Sequence, residues 1–240
     1  MVGKNFKKIK IDIYADGANI VDFKKLNKLK MIKGFTTNPS LMKKNKISNY
    51  KKFAKLISKL VFPKPISFEI FTDDFKEMYE QAIEISSWRS NIYVKIPVIN
   101  SRGKSSIPII EKLLNNKIKC NVTAVFDVCQ LKPYEKIINS KTDLIISVFS
   151  GRIADTGIDP AIKIKEIYEI FKKNSKIKIL WASTREPYNV IQAQSCNCKI
   201  ITVPTEMLSK LENFGKNNIQ FSKETVKTFL EDSRSLKFSS

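Results

Sequence analysis

Short apolar runs rich in β-branched residues recur along this chain, and each is followed by a longer segment whose apolar positions return every three or four residues. The first pattern suits strands buried on both faces and the second suits helices with one buried stripe. Their alternation predicts a parallel sheet with crossover helices. Eight strands are expected, over residues 9–15, 32–36, 66–71, 92–97, 118–122, 144–148, 177–182 and 200–203. Between them Phe53, Leu56, Ile57 and Leu60 repeat at helical spacing, as do Phe75, Met78, Tyr79 and Ala82. Pro108 and Pro160 stand where first helical turns begin, with Asp159 as the cap before Pro160. Eight repeats in 240 residues predict an α/β fold, a single (β/α)8 TIM barrel, which typically takes ~250 residues. Residues 222–233 read as an extra C-terminal helix, capped by Ser222 and striped by Thr225, Val226, Phe229 and Leu230. With no linker or low-complexity segment, residues 1–240 are expected to form one domain.

Composition narrows the chemistry. The chain contains no histidine, and its four cysteines, Cys120, Cys129, Cys196 and Cys198, form no paired CxxC arrangement, so a His-ligated zinc or iron site is excluded. Acid–base work falls to Asp, Glu, Lys, Tyr or ordered water. Lys plus Arg total 43 against 23 acidic residues, a net charge of +20. The lysines are spread over nearly every expected helix with no Arg-rich arm, which reads as a solvated surface that also attracts phosphorylated substrates. No run approaches the ~18 apolar residues of a membrane span, and Met1–Lys8 has no apolar core of signal-peptide length. A cytoplasmic protein is expected, with neither a membrane nor a nucleic-acid partner.

Lys95 breaks the pattern. It lies within Asn91-Ile-Tyr-Val-Lys-Ile-Pro-Val98, an apolar strand where charge is normally excluded. An amine held in such a place loses preference for its charged form, and a neutral amine can attack a carbonyl to form a Schiff base. Snorkelling to water is the plain alternative. In a barrel, chemistry gathers at the C-terminal strand ends, and unusual, mostly polar residues stand there on seven successive strands. They are Asp16, then Thr36, Thr37 and Asn38, Glu69, Lys95, Asn121 with Thr123, Ser147 with Phe149 and Arg152, and Ser183 with Arg185. Asp16 and Asn38 taken singly could cap turns, Glu69 and Lys95 could be a structural ion pair, and the arginines could be surface residues. Arg152, Ser183 and Arg185 together supply the donors and charge that a phosphate requires.

The blocks Asp16-Gly-Ala-Asn19, Gly34-Phe-Thr-Thr-Asn-Pro-Ser40, Val94-Lys-Ile-Pro97, Asn121-Val-Thr-Ala124, Ile146-Ser-Val-Phe-Ser-Gly-Arg-Ile153 and Ala182-Ser-Thr-Arg185 resemble those of small transaldolases. That group of class I aldolases includes fructose-6-phosphate aldolase. The resemblance runs from about Ile11 to Pro204. It implies Lys95 as Schiff-base nucleophile, Asp16 as acid–base group, and Glu69 with Thr123 holding a catalytic water. It further implies that Thr36, Asn38, Asn121, Ser147 and Phe149 line the dihydroxyacetone unit and that Arg152, Ser183 and Arg185 grip the sugar phosphate. No cofactor and no metal are implied, since a Schiff base is itself an electron sink.

Within the group, transaldolases tend to carry Glu and Phe where fructose-6-phosphate aldolases carry Gln and Tyr, and this chain has Glu69 and Phe149. The expected reaction is therefore transfer of a three-carbon unit from a ketose phosphate to an aldose phosphate, in sugar interconversion of the pentose phosphate type. A simple aldolase, a relative retuned for an unusual sugar, and an idle barrel binding a polyanion are the alternatives. Three positions depart from the group: Gly17 replaces a usual threonine, Thr184 a bulky residue, and Val148 a common proline. The extra helix implies a homo-oligomer, as in small transaldolases.

Overall fold

The computed structural model describes residues 9–131 and 140–236. Eight strands close into a barrel in sequence order, every neighbouring pair parallel. They are β1 (Asp12–Asp16), β2 (Ile32–Thr36), β3 (Ile66–Glu69), β4 (Ile92–Pro97), β5 (Cys120–Val125), β6 (Leu144–Val148), β7 (Ile177–Trp181) and β8 (Ile200–Pro204). The first helices are α1 (Ile20–Asn27), α2 (Pro39–Lys44), α3 (Tyr50–Val61), α4 (Phe75–Ser87) and α5 (Ile107–Asn115). After β6 come α6 (Ser150–Ala154), α7 (Pro160–Phe171), α8 (Asn189–Ser195), α9 (Thr205–Leu208) and α10 (Asn218–Ser233).

Helix starts follow the local chemistry. The Asn19, Asn38, Asn49, Asp74 and Asp159 side chains accept from the first free N–H groups of α1, α2, α3, α4 and α7. Pro39 and Pro160 occupy first-turn positions where no N–H is needed.

Alternation along each strand separates two cores. On β4, Val94 and Ile96 are fully buried against the helices, while Tyr93 turns into the barrel. Inside, Tyr14, Tyr93, Ile145, Leu180, Ala182 and Ile200 form a compact apolar floor, with Phe149 packed on it. Gly34 makes room for this floor: a Cβ there would lie 2.6 Å from the Tyr14 ring. The floor excludes water from below and leaves the strand ends above it for polar groups.

Several expectations shift. Strand β1 begins at Asp12 and includes Asp16, and β3 stops at Glu69, after which the Phe71 N–H leaves the sheet to donate to Gln81 Oε1 at 2.7 Å. The stripe of α3 is Phe53, Ala54, Ile57, Ser58 and Val61, and Leu56 is 49% exposed because it falls well to one side of that face. The C-terminal helix starts earlier than its stripe suggests. Asn217 caps it by accepting from the Ile219 and Gln220 N–H groups, so Ser222 lies inside the first turns and is not the cap.

Candidate active site

The fourth strand carries Lys95 into the barrel beside Glu69, its register partner on β3, and Asn121, its register partner on β5. Lys95 is 9% and Glu69 7% exposed. The ammonium donates to Glu69 Oε1 at 2.5 Å and to the Thr37 carbonyl at 2.7 Å. Lys95 therefore does not snorkel. Burial pushes the Glu69 carboxyl above its usual range, opposed by the Lys95 charge and by the Thr37 hydroxyl, which donates to Oε2 at 3.0 Å. The Tyr50 hydroxyl reaches across from α3 to donate to the Glu69 carbonyl at 2.5 Å.

Across the mouth, Asp16 ends β1 opposite Thr36. Thr36 donates to Asp16 Oδ1 at 2.7 Å, and Asn38 donates to Oδ2 at 3.3 Å while its own oxygen caps α2. Asp16 keeps some exposure at the rim, yet the atoms crowded around it push its carboxyl upward, against the attraction of Lys95. On the third side, Ser147 donates to Asn121 Oδ1 at 2.6 Å and Asn121 donates to Ser67 Oγ at 3.0 Å. Thr123 Oγ1 is buried without a hydrogen-bonding partner among the described residues, which leaves it available to a substrate or water oxygen. Strand β5 bends there: its register with β6 shifts between Val122 and Val125, and Ala124 takes a φ of 57°.

The arginines sit on α6 and on the loop after β7, which cross closely. Arg152 in α6 lies with its guanidinium 5.3 Å from the Phe149 ring centre. A Cβ on the neighbouring Gly151 would fall 1.8 Å from the Ser183 carbonyl and 2.9 Å from Arg185 Nε, so the α6 turn and the loop after β7 touch backbone to backbone. Ser183 has a φ of 61°. Arg185 is about half exposed and pairs with Asp155 at 2.5 Å. The three expected phosphate residues thus share one corner of the mouth.

The twelve candidate residues lie in the strands or in the turns and helix starts that follow their C-terminal ends. Three partners escaped the sequence reading as site members, Ser67, Tyr50 and Thr202, while Thr37 stands out at its strand end without a role. Ser67 carries a period-two signal, since it lies two residues before Glu69 on β3, whereas the neighbours of Thr202 at that spacing, Ile200 and Pro204, are apolar. Gly17, which departs from the resembled pattern, has a packing reason: a Cβ would meet Phe23 Cε1 at 3.0 Å and Thr205 Cγ2 at 3.1 Å. Among the described residues no group of three or more His, Cys, Asp or Glu side chains could hold a metal ion, and no helix is long and apolar enough to cross a membrane.

The fold and this site define a (β/α)8 barrel protein with a lysine–carboxylate centre at its C-terminal mouth. Comparison with known proteins narrows the class: the sequence model of the transaldolase/fructose-6-phosphate aldolase family matches residues 13–240, and the chain belongs to that family. A protein of Dehalococcoides mccartyi named "Probable transaldolase" is 34% identical over 201 residues, covering 83% of this chain and 89% of the relative. One of Carboxydothermus hydrogenoformans with the same name is 32% identical over 228 residues, covering 95% and 100%. Among solved structures, orotidine 5'-monophosphate decarboxylase from Metallosphaera sedula aligns with a TM-score of 0.54 at 12% identity, covering 85% of this chain and 95% of the other. Type I 3-dehydroquinate dehydratase from Clostridium difficile aligns with a TM-score of 0.52 at 9% identity, covering 85% and 91%. Both share the fold alone.

Proposed function

We propose that this protein is a Schiff-base transaldolase that moves a dihydroxyacetone unit from a ketose phosphate to an aldose phosphate. The observation that carries this reading is the Lys95 amine held at 2.5 Å from Glu69 Oε1 in a nearly dry mouth. An isolated structural ion pair in that place would gain little over apolar packing, whereas proton transfer from the ammonium to a carboxylate already pushed upward by burial leaves a neutral amine ready to attack. Lys95 Nζ bonds to the ketose carbonyl carbon, and the oxygen leaves as water after taking two protons. Asp16 then takes the proton of the hydroxyl on the far carbon of the scissile bond, and that carbon becomes the aldehyde of the departing aldose. That bond breaks, its electron pair moves onto the iminium nitrogen, and the aldose departs. The enamine attacks the aldehyde of a second aldose phosphate, Asp16 returns its proton to the new hydroxyl, and water hydrolyses the imine. Asn38, Asn121 and Ser147 orient the hydroxyls, Thr123 and Glu69 hold the water, and Arg152, Ser183 and Arg185 take the phosphate. The iminium is the electron sink, so this chemistry requires no cofactor.

The apolar face of Phe149 favours transfer over simple cleavage, because it adds no hydroxyl that would help protonate the waiting enamine, and Glu69 is the residue that transaldolases tend to carry at its position. The test is borohydride treatment with fructose 6-phosphate followed by mass spectrometry. A reduced three-carbon adduct on the Lys95 peptide is expected, absent in Lys95→Met, which fills similar volume while Glu69 takes up a proton. An adduct on another lysine, or none in the native protein, would overturn the mechanism.

A further inference from the structure

We propose that Thr202 is a positioning residue at the junction of a hydrogen-bond path, Thr184 to Thr202 to Thr36 to Asp16, that ties the phosphate corner to the acid–base carboxylate. The inference rests on the functional reading of Asp16, Ser183 and Arg185 given above. Thr202 lies in β8, in register with Tyr14 on β1, and is 6% exposed. Its hydroxyl is in short contact with the Thr36 hydroxyl. The donor order follows from counting protons. An ionised carboxylate only accepts, so the Thr36 proton is committed to Asp16 Oδ1 at 2.7 Å, and the proton shared between the two threonines must come from Thr202. When Asp16 is protonated on that oxygen, Thr36 becomes the acceptor from Asp16 and donates back to Thr202, whose own proton then loses its place in a buried site. The path therefore favours the ionised form of Asp16. The other charged groups that face Asp16 are Lys95 on β4, which also favours that form, and Glu206 on α9, which opposes it.

The backbone of Thr202 faces the other way along the path. Its carbonyl accepts from the Thr184 hydroxyl at 2.6 Å, and Thr184 is 5% exposed. Thr184 follows Ser183, whose left-handed backbone is unfavourable for a side-chain-bearing residue and persists only where neighbours hold it. The holders are the Ala182 N–H on the Val148 carbonyl at 2.8 Å, the Thr184 hydroxyl, and Asn189 Oδ1 accepting from the Arg185 N–H at 2.9 Å. A bulky apolar residue at 184 could fill the space but could not make this bond, so the departure seen in the sequence replaces packing by a directed tie to β8.

The two arms of the path give separable readouts, neither of which needs turnover. In full-length protein with labelled aspartate carboxyls, carbon NMR should show Asp16 in Thr202→Val titrating about one pH unit higher than in the native protein. Binding of inorganic phosphate, followed by calorimetry, should be unchanged in that variant. Thr184→Val should bind phosphate about tenfold more weakly and leave the Asp16 titration in place. Thr202→Ser and Thr184→Ser should restore native values, and Thr202→Cys, with a weaker donor, should give an intermediate titration if the valine variant does not fold. An unmoved Asp16 titration in both Thr202→Val and Thr202→Cys, or native phosphate binding in Thr184→Val, would overturn the proposal. Failure of borohydride to label Lys95 in the native protein would instead strike the functional reading and leave these two measurements interpretable.

Discussion

Gly151→Ala tests how closely the two segments proposed to hold the phosphate must approach. The new Cβ would lie 1.8 Å from the Ser183 carbonyl oxygen, whereas real contacts of this kind essentially never fall below 3.0 Å, so the α6 turn and the Ser183 backbone must separate by at least 1.2 Å. Neither side is a flexible side-chain tip: one is helix backbone, and the other is a carbonyl in a strained loop. Overpacking of this sort costs about 1–3 kcal/mol, which in a chain of this size lowers Tm by roughly 2–12 °C. The functional cost is larger. Arg152 and Arg185 ride on the two segments forced apart, and a displacement of about 1 Å in groups that position a substrate costs on the order of 10²-fold. Steady-state kinetics with fructose 6-phosphate and with unphosphorylated fructose should show the loss concentrated in kcat/KM for the phosphorylated sugar, since fructose carries no phosphate for the arginines to hold. A folded variant with native Tm and native kcat/KM for fructose 6-phosphate would refute both the close crossing and the phosphate assignment.

Three further outcomes are expected. Asp16→Asn should lower kcat by about 10²–10⁴-fold and raise thermal stability at neutral pH. Burial lifts the folded Asp16 pKa above its unfolded value, so its contribution to stability is fully present below the unfolded pKa and is lost as pH rises through the folded one. The Tm advantage of the variant should therefore grow from pH 4 to pH 7, and a constant difference would count against a buried, ionising Asp16. Phe149→Tyr should shift the ratio of transfer to erythrose 4-phosphate against release of dihydroxyacetone towards release, while Glu69→Gln should slow transfer; faster release than transfer in the native protein would favour the aldolase reading. We also propose that α10 packs on a second copy of the chain, because Ile219, Val226, Phe229 and Leu230 are each more than half exposed. Light scattering should give an oligomer for the full chain and a smaller species for a form ending at Gly215, and a monomer in both would reject this.

The strands were legible because apolar β-branched runs leave few alternatives, and Lys95 stood out because a charge inside such a run demands a reason. Asp16, Glu69 and the arginines were legible by position at strand ends. What the sequence could not display was partnership. Thr37 stands out at its strand end without showing its bond to Glu69, Thr202 is an ordinary strand residue in one dimension, and only closure of the ring brings Thr202 to Thr36 across 166 residues. Tyr50 stands three residues before the Phe53 stripe with nothing in the sequence to mark it, and its bond to the Glu69 carbonyl depends on how α3 crosses β3. Ser222 looked like a cap because hydroxyl caps are common, but Asn217 lies five residues earlier and satisfies two N–H groups at once. Arg185 was expected at a phosphate, and its existing partner Asp155 becomes visible only when the turn after α6 is folded.

The seam between β1 and β8 has a consequence for how this protein fails. Closing it also brings Thr202 of β8 to Thr36 of β2, 166 residues away, at a loop-closure entropy cost of about 4–5 kcal/mol, and Asp16, Thr36 and Thr202 meet at that junction. A barrel that parts there keeps most helices seated on their own strands, but it has already dismantled the carboxylate corner of its mouth. In gradual denaturation, catalysis should disappear at a lower denaturant concentration than helical circular dichroism. Activity would then report the integrity of the ring, and bulk secondary structure would report only the arcs that compose it.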